Sequence, residues 1–262
     1  MTSEGAVPDF SVPNPARMYD YFLGGKDNFP ADREAANRVI AAYPEARTLA
    51  RANRRFLTRA VWFLAEHGIS QYIDLGAGLP TSPNVHQIAR QVRPDARVVY
   101  VDNDPVVTCY GRALRATNDG VAVIDGDLRD PRSILADPDL TAVIDFAEPV
   151  GILCVAVLHF VRDEENPGEI VAALRGQMAA GSYVAISHAA TDGADKQVLA
   201  EIRETYQDAT APAIPRTGAE IRELFTELEL AEPGLVDVSQ WRPQVRSRAT
   251  KIRILAGVGR KP

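Results

Sequence analysis

The sequence predicts a doubly wound α/β domain, with seven strands in a mostly parallel sheet and a helical cap at its N-terminus. Three observations predict it. Short apolar runs rich in strand formers recur at residues 72–75, 98–101, 121–124, 152–158 and 183–188, with helical patterns between them. Ser, Asp or Asn stands directly before Pro at Ser82-Pro83, Asp104-Pro105, Asp130-Pro131 and Asn166-Pro167, the pairing of N-cap and first-turn proline that opens helices. The first three runs each end at a carboxylate, Asp74, Asp102 and Asp125, so the sheet gathers acids along one edge. Strands that alternate with helices pair in parallel, because parallel neighbours need a crossover between them.

Residues 1–12 are small and polar without a period, which suits a loose tail. Asn14-Pro15 then opens a helix that Gly24-Gly25 closes. Helical patterns follow over 31–43 and 46–67, the second with Leu49, Phe56, Ala60, Phe63 and Leu64 near a 3.6 period. That helix also carries Arg47, Arg51, Arg54, Arg55 and Arg59, read as a solvated face rather than an anion site. After the strands and helices already named, helices are expected over 167–178 and 192–206. The Thr217-Gly218-Ala219-Glu220 spacing is that of a capping box opening a helix to 228. Two last strands, 235–238 and 252–258, form an antiparallel closing pair. The cap then spans 1–68 and the sheet domain 69–262.

Composition bounds the function. The chain has 262 residues, 46% hydrophobic and 24% charged, ordinary for one globular unit. A net charge of -6 disfavours a nucleic-acid partner. Seven basic residues without an acid after Trp241 (Arg242, Arg246, Arg248, Lys251, Arg253, Arg260, Lys261) read as a charged sheet edge. Cys109 and Cys154 suit a reducing compartment. No basic-then-apolar leader opens the chain, and its longest apolar stretch, 151–161, is shorter than the ~20 residues of a membrane helix, so no membrane association and a cytoplasmic location are expected. The four histidines are dispersed and no C-x-x-C or G-x-S-x-G occurs, so neither a metal site nor a serine hydrolase is expected. Oligomeric state is not legible.

The chemistry concentrates at Asp74-Leu75-Gly76-Ala77-Gly78, where the first strand breaks into a turn that admits close backbone approach to a ligand. Asp102, at the end of the second strand, is placed to accept from a ribose diol. Leu79-Pro80-Thr81 stands where a dinucleotide fingerprint would need its third glycine, so the loop suits a ribose and adenine without a pyrophosphate. S-adenosylmethionine is such a ligand.

D-L-G-A-G (74–78), V-D-N-D (101–104) and D-G-D-L (125–128) resemble the first three motifs of class I, Rossmann-like S-adenosylmethionine-dependent methyltransferases. The stretches P-N-P-A-R-M-Y-D-Y-F-L-G-G-K-D-N-F (13–29) and E-P-G-L-V-D-V-S-Q-W-R-P (232–243) are similar to an actinobacterial family of S-adenosyl methyltransferases of unassigned substrate, and the likeness covers nearly the whole chain. The resemblance implies S-adenosyl-L-methionine as cofactor and a small-molecule acceptor methylated on oxygen or nitrogen. It implies that Asp74 receives the methionine ammonium, that Gly76, Ala77 and Gly78 let the cofactor lie flat, that Asp102 holds the ribose and that Asn103 borders the adenine. Asp127 with Leu128 would meet the adenine amino group, a duty Asp125 could share. Arg17 is expected to pair with the methionine carboxylate, with Tyr21 and the turn from Gly24 to Asp27 shaping a lid; the alternative is that these residues only pack the cap. His159, at the exit of the fourth strand, is the candidate general base and His188 the second, with Glu148, Tyr206 and Trp241 as possible acceptor contacts. Two rivals stay open. One is a non-catalytic S-adenosylmethionine-binding module, which would keep the acids but tolerate loss of His159. The other is an NAD-dependent oxidoreductase.

Overall fold

The computed structural model describes residues 9–115, 119–243 and 250–262. Residues 1–8 of the tail expected over 1–12, and the basic residues Arg246 and Arg248, lie outside them. Asn14 accepts the backbone N–H groups of Ala16 and Arg17 and so starts α1 (Pro15–Leu23), which Gly24 closes at φ 89°. Then come α2 (Pro30–Ala42) and the long α3 (Ala46–Glu66), whose apolar stripe from Leu49 to Leu64 is buried.

The alternating units follow: β1 (Gln71–Leu75), α4 (Val85–Ala89), β2 (Arg97–Asp102), α5 (Pro105–Arg115) and β3 (Val121–Asp125). Beyond them lie α6 (Pro131–Leu135), α7 (Pro138–Thr141), β4 (Gly151–Val155), α8 (Pro167–Gln177), β5 (Tyr183–Ala190) and α9 (Lys196–Gln207). Last are α10 (Gly218–Glu223), β6 (Glu229–Leu230), β7 (Val236–Asp237) and β8 (Arg253–Arg260).

Local chemistry explains most starts. Asp104 accepts the Val106 N–H at 2.7 Å and Asp130 the Ser133 N–H at 3.1 Å, while Thr217 and Glu220 close the expected capping box. Three expected helix starts needed correction, and α10 ends at Glu223 rather than 228. Ser82-Pro83 does not begin a helix: Asn84 is the N-cap, and Gln87 reaches back to its N–H at 2.7 Å. Asn166 precedes α8 in a left-handed conformation and makes no side-chain cap. The helix expected from 192 starts only at Lys196, where Asp195 accepts the N–H groups of Gln197 and Val198.

Among the described residues, eight strands, not seven, form the sheet. Their order is β3-β2-β1-β4-β5-β8-β6, and β7 also pairs with β8. The closing partner of β8 is thus split into two two-residue pieces, of which β6 is too short to leave a period. The pairs from β3 through β5 are parallel, and β8 runs antiparallel to β5. Register sets both faces. Tyr72 and Asp74 pair with Val98 and Tyr100 on one face, Ile73 and Leu75 with Val99 and Val101 on the other. The first face packs under α1, α2, α3 and α9; the second holds a separate core with α6, α7 and α8. Strand order reverses beside β1, between β2 and β4, which leaves a crevice at their carboxyl ends.

The fourth strand is shorter than its apolar run. It stops at Val155; Ala156 takes φ 58°, and a 3-10 turn over Leu158–Phe160 follows. This bend aims Val157 at the turn after β1, where its Cγ2 sits 2.3 Å from the position a Cβ on Gly76 would occupy.

Candidate active site

A cavity of about 570 Å³ opens at this crevice, within the range of small-molecule pockets. The ends of β1, β2 and β4 form its floor, α1 and α3 one wall, and α9 with the loop over 210–215 the other. Thr210 ties that loop to α1: its N–H donates to the Pro13 carbonyl at 2.9 Å, and its hydroxyl accepts from Asn14 Nδ2 at 3.0 Å.

Asp74, Gly76, Ala77, Gly78, Asp102, Asn103, Asp127, Leu128, Arg17 and His159 all line this cavity. Tyr21 and Gly24 do not. The Tyr21 hydroxyl bonds Asn37 at 3.1 Å, with the Arg47 guanidinium over its ring at 4.8 Å, and Gly24 serves only as the α1 C-cap. Both expected lid contacts are packing of the cap.

Asp74 is buried, yet no hydrogen bond within the described residues satisfies its carboxylate. Burial pushes it up to about 7, against the pull of the Arg54 guanidinium and with a push from Asp102. Asp102 is raised to about 6 by burial, partly offset because its two oxygens accept the Asp104 and Gly78 N–H groups, each at 2.9 Å. The glycine turn is therefore tied to the end of β2 by the same carboxylate that faces the cavity. Gly78 holds φ 63°, and a Cβ there would enter open space with Ala16 the nearest atom at 4.0 Å, so its backbone is bare to the cavity. Gly76, at φ 65°, is required first by Val157, a packing reason that sequence reading missed.

Asp127 lines the cavity and the exposed Asp125 does not. The hydrogen bonds of Arg129 hold Asp127 below the usual carboxylate range. Arg17 departs from expectation. Its Nε donates to Asp32 at 3.0 Å, Nη1 to Asp104 at 3.4 Å and Nη2 to the Val12 carbonyl at 2.9 Å, so its guanidinium is committed inside the protein. Arg54 is the cation that sequence reading overlooked. It lines the cavity and donates through Nη2 to the carbonyls of Thr81 and Pro83, while its buried Nε has no partner. Nor is Arg59 solvated: it donates to the carbonyls of Trp241 and Val238 at 2.7 and 2.6 Å. The stripe looked uniform because periodicity does not show which arginines reach carbonyls elsewhere.

His159 is a donor here. Its Nδ1 accepts the Ala189 N–H at 3.3 Å, which places the proton of the neutral ring on Nε2. Burial, with His188 and Arg216 nearby, holds the ring well below the usual histidine range. A neutral Nε2–H cannot abstract a proton, so the geometry does not make His159 a general base. His188 does not line the cavity; it bonds the Ala189 carbonyl and Arg216, and burial lowers it to about 4. Glu148 precedes β4 at the opposite end of the sheet, and Trp241 is sealed between Phe56 and Phe63. Of those acceptor candidates, only Tyr206 reaches the cavity. Among the described residues no three His, Cys, Asp or Glu side chains are grouped to hold a metal ion, and no helix is long and apolar enough to cross a membrane.

A family model described as S-adenosyl methyltransferase matches residues 2–262. The chain belongs to that family. This methyltransferase is similar to two solved actinobacterial structures. A DUF574 family protein of Streptomyces avermitilis is 41% identical over 97% of this chain and 99% of that one, with a TM-score of 0.93. A candidate methyltransferase of Thermobifida fusca is 41% identical over 97% and 96%, with a TM-score of 0.91. Human N-acetylserotonin methyltransferase, solved with S-adenosylmethionine, shares the fold alone: TM-score 0.50 at 14% identity, over 95% of this chain and 63% of that one. No curated protein matches the methyltransferase. It is an S-adenosylmethionine-dependent enzyme of the Rossmann-like class, and the residues at its crevice fit that donor: a free carboxylate for an ammonium, bare glycine backbone, and an acid at the end of β2 for a sugar.

Proposed function

We propose that this enzyme methylates an oxygen or nitrogen of a small molecule in the cytoplasm, with the donor at the carboxyl ends of β1, β2 and β3 and the acceptor beyond β4. The observation that carries the reading is the buried, unpartnered Asp74 carboxylate beside bare glycine backbone, with Asp102 facing the same cavity. S-adenosylmethionine, when bound, would supply a methyl on a sulfonium: the acceptor oxygen or nitrogen would bond to the methyl carbon in line as the carbon–sulfur bond breaks, the neutral thioether leaving and any acceptor proton passing to solvent. The protein's part is then mostly positioning. Asp74 holds the ammonium and Asp102 the ribose hydroxyls. Asn103, Asp127 and Leu128 border the base, and Gly76, Ala77 and Gly78 give backbone room. Arg54 takes the carboxylate role expected of Arg17, because it is the cavity-lining arginine beside Asp74 with donors to spare. Neutral His159 orients the acceptor through Nε2–H.

Calorimetry with S-adenosylhomocysteine tests the placement. Tight binding by the full chain is expected, with no binding of NAD, and Asp102→Ala should weaken S-adenosylhomocysteine by about tenfold or more. Unchanged affinity in that variant overturns the placement.

A further inference from the structure

Past the carboxylates the cavity continues between α1, α3, α9 and the start of β8 as a chamber of different character. Leu49 and Leu57 of α3, Leu199 and Ile202 of α9, Ala213 of the loop after α9 and Ile254 of β8 enclose it. The α1 and α3 walls carry Arg17, committed to Asp32 and Asp104, Asp20, which accepts from the Asp27 N–H and Asn28, and Arg54 beside Asp74; among the described residues, none of the lining side chains from α2, α9, β5, β8 and the loop over 210–215 is charged. Arg216, the cation next along the chain, does not line the chamber. It is spent on the Leu158 and Val161 carbonyls, Asp163 and His188.

Most polar groups on the chamber wall are also spoken for. Asn53 accepts from Ser187 at 2.6 Å and donates to the Tyr19 hydroxyl at 3.0 Å, which donates in turn to the Ala50 carbonyl. Two polar atoms remain without a protein partner among the described residues, His159 Nε2 and the Tyr206 hydroxyl. Their rings flank Phe160, with centroids 4.5 and 5.6 Å from it.

Resting on the function proposed above, we infer that the methyl acceptor is an uncharged, mainly apolar ring compound with a single polar function, held at its heteroatom by the His159 Nε2–H. An ion among the side chains of α9, β8 and the loop over 210–215 would lose its water beside uncharged groups alone, a cost of several kcal/mol per ion. A sugar or other polyol would strand hydroxyls without partners, at ~1–3 kcal/mol each. One polar group is what two free protein atoms can satisfy, and the rest of such a ligand gains from leaving water.

The test uses the full chain, with and without S-adenosylhomocysteine, and follows 2-naphthol by fluorescence and calorimetry. Naphthalene-2-carboxylate, 2-naphthylmethylammonium and glucose serve as charged and polyhydroxylated counterparts. Saturable 2-naphthol binding is expected, about tenfold or more tighter than any counterpart. Ile202→Trp, which fills the chamber, should lower 2-naphthol affinity by about tenfold while S-adenosylhomocysteine affinity, which also reports folding, stays unchanged. His159→Asn keeps an acceptor for the Ala189 N–H but removes Nε2–H. It should weaken 2-naphthol about fivefold and leave naphthalene, which has no polar atom, unaffected; His159→Gln, which restores a donor, should recover part of the loss. Absence of saturable 2-naphthol binding, equal or tighter binding of a counterpart, or indifference to Ile202→Trp overturns the inference. Loss of S-adenosylhomocysteine binding in the unaltered protein strikes the donor placement instead, and the naphthol series still judges the chamber.

Discussion

Asp74 is a residue held in an unfavourable setting for the sake of what it binds. A carboxylate buried without a hydrogen bond destabilises the ligand-free fold, and its raised value of about 7 expresses that cost. The sign follows from linkage. Between the ordinary carboxylate range and about 7, the folded protein keeps a proton that the unfolded chain has released, so this group's contribution to stability falls as pH rises through that window. Asp102, raised to about 6, acts in the same direction. Asp74→Asn should therefore stabilise the ligand-free protein at pH 8 by about 1 kcal/mol, a gain in Tm of roughly 2–4 °C. The same variant should bind S-adenosylhomocysteine about tenfold more weakly. In the unaltered protein that affinity should rise from pH 6 to pH 8, as Asp74 ionises to meet the ammonium. Scanning calorimetry and titration across this range check both. A variant less stable than the parent at pH 8 contradicts the account.

Among elements, α1 shows most clearly how a side chain read as a ligand contact can be a brace. Arg17, Asp32 and Asp104 are all buried, and their contacts join α1 to α2 and to the start of α5. Arg17→Ala leaves two carboxylates without their cation, and about 3–5 kcal/mol of stability should be lost by denaturant unfolding. A protein that keeps its stability and loses only donor affinity would restore the ligand reading. The sequence contained all three residues but no sign of their meeting, since Arg17 and Asp104 are brought together only by tertiary packing. The same limit explains Arg54 and Gly76. One looked like a surface position on an amphipathic helix, and the other answers to Val157, whose bend the apolar run 152–158 concealed. Legible features were local ones: the Asn14, Asp104, Asp130 and Thr217 caps, the strand alternation, and the acids at strand ends. His159 was found by its position at a strand exit, whereas its tautomer needed the Ala189 amide, which belongs to another strand.

For the whole molecule, topology does the gathering. Five parallel strands with a reversal beside β1 bring Asp74, Asp102, Asp127 and His159 to one edge from widely separated parts of the chain, and pattern alone foretold this because each sits at or just beyond a strand end. What pattern could not foretell was the cover. The wall opposite α1 is built from α9 and the segment after it, polar and apolar in no period that marks a chamber. Its joint with α1 rests on Thr210, whose amide and hydroxyl both engage the chain near Pro13. Two contacts between positions so far apart in sequence tie the cavity's two walls together. The Thr210 amide proton then reports how often the two walls part. Deuterium uptake at that amide should be slower once S-adenosylhomocysteine is bound. If uptake is the same with and without it, the donor site and this joint are not coupled.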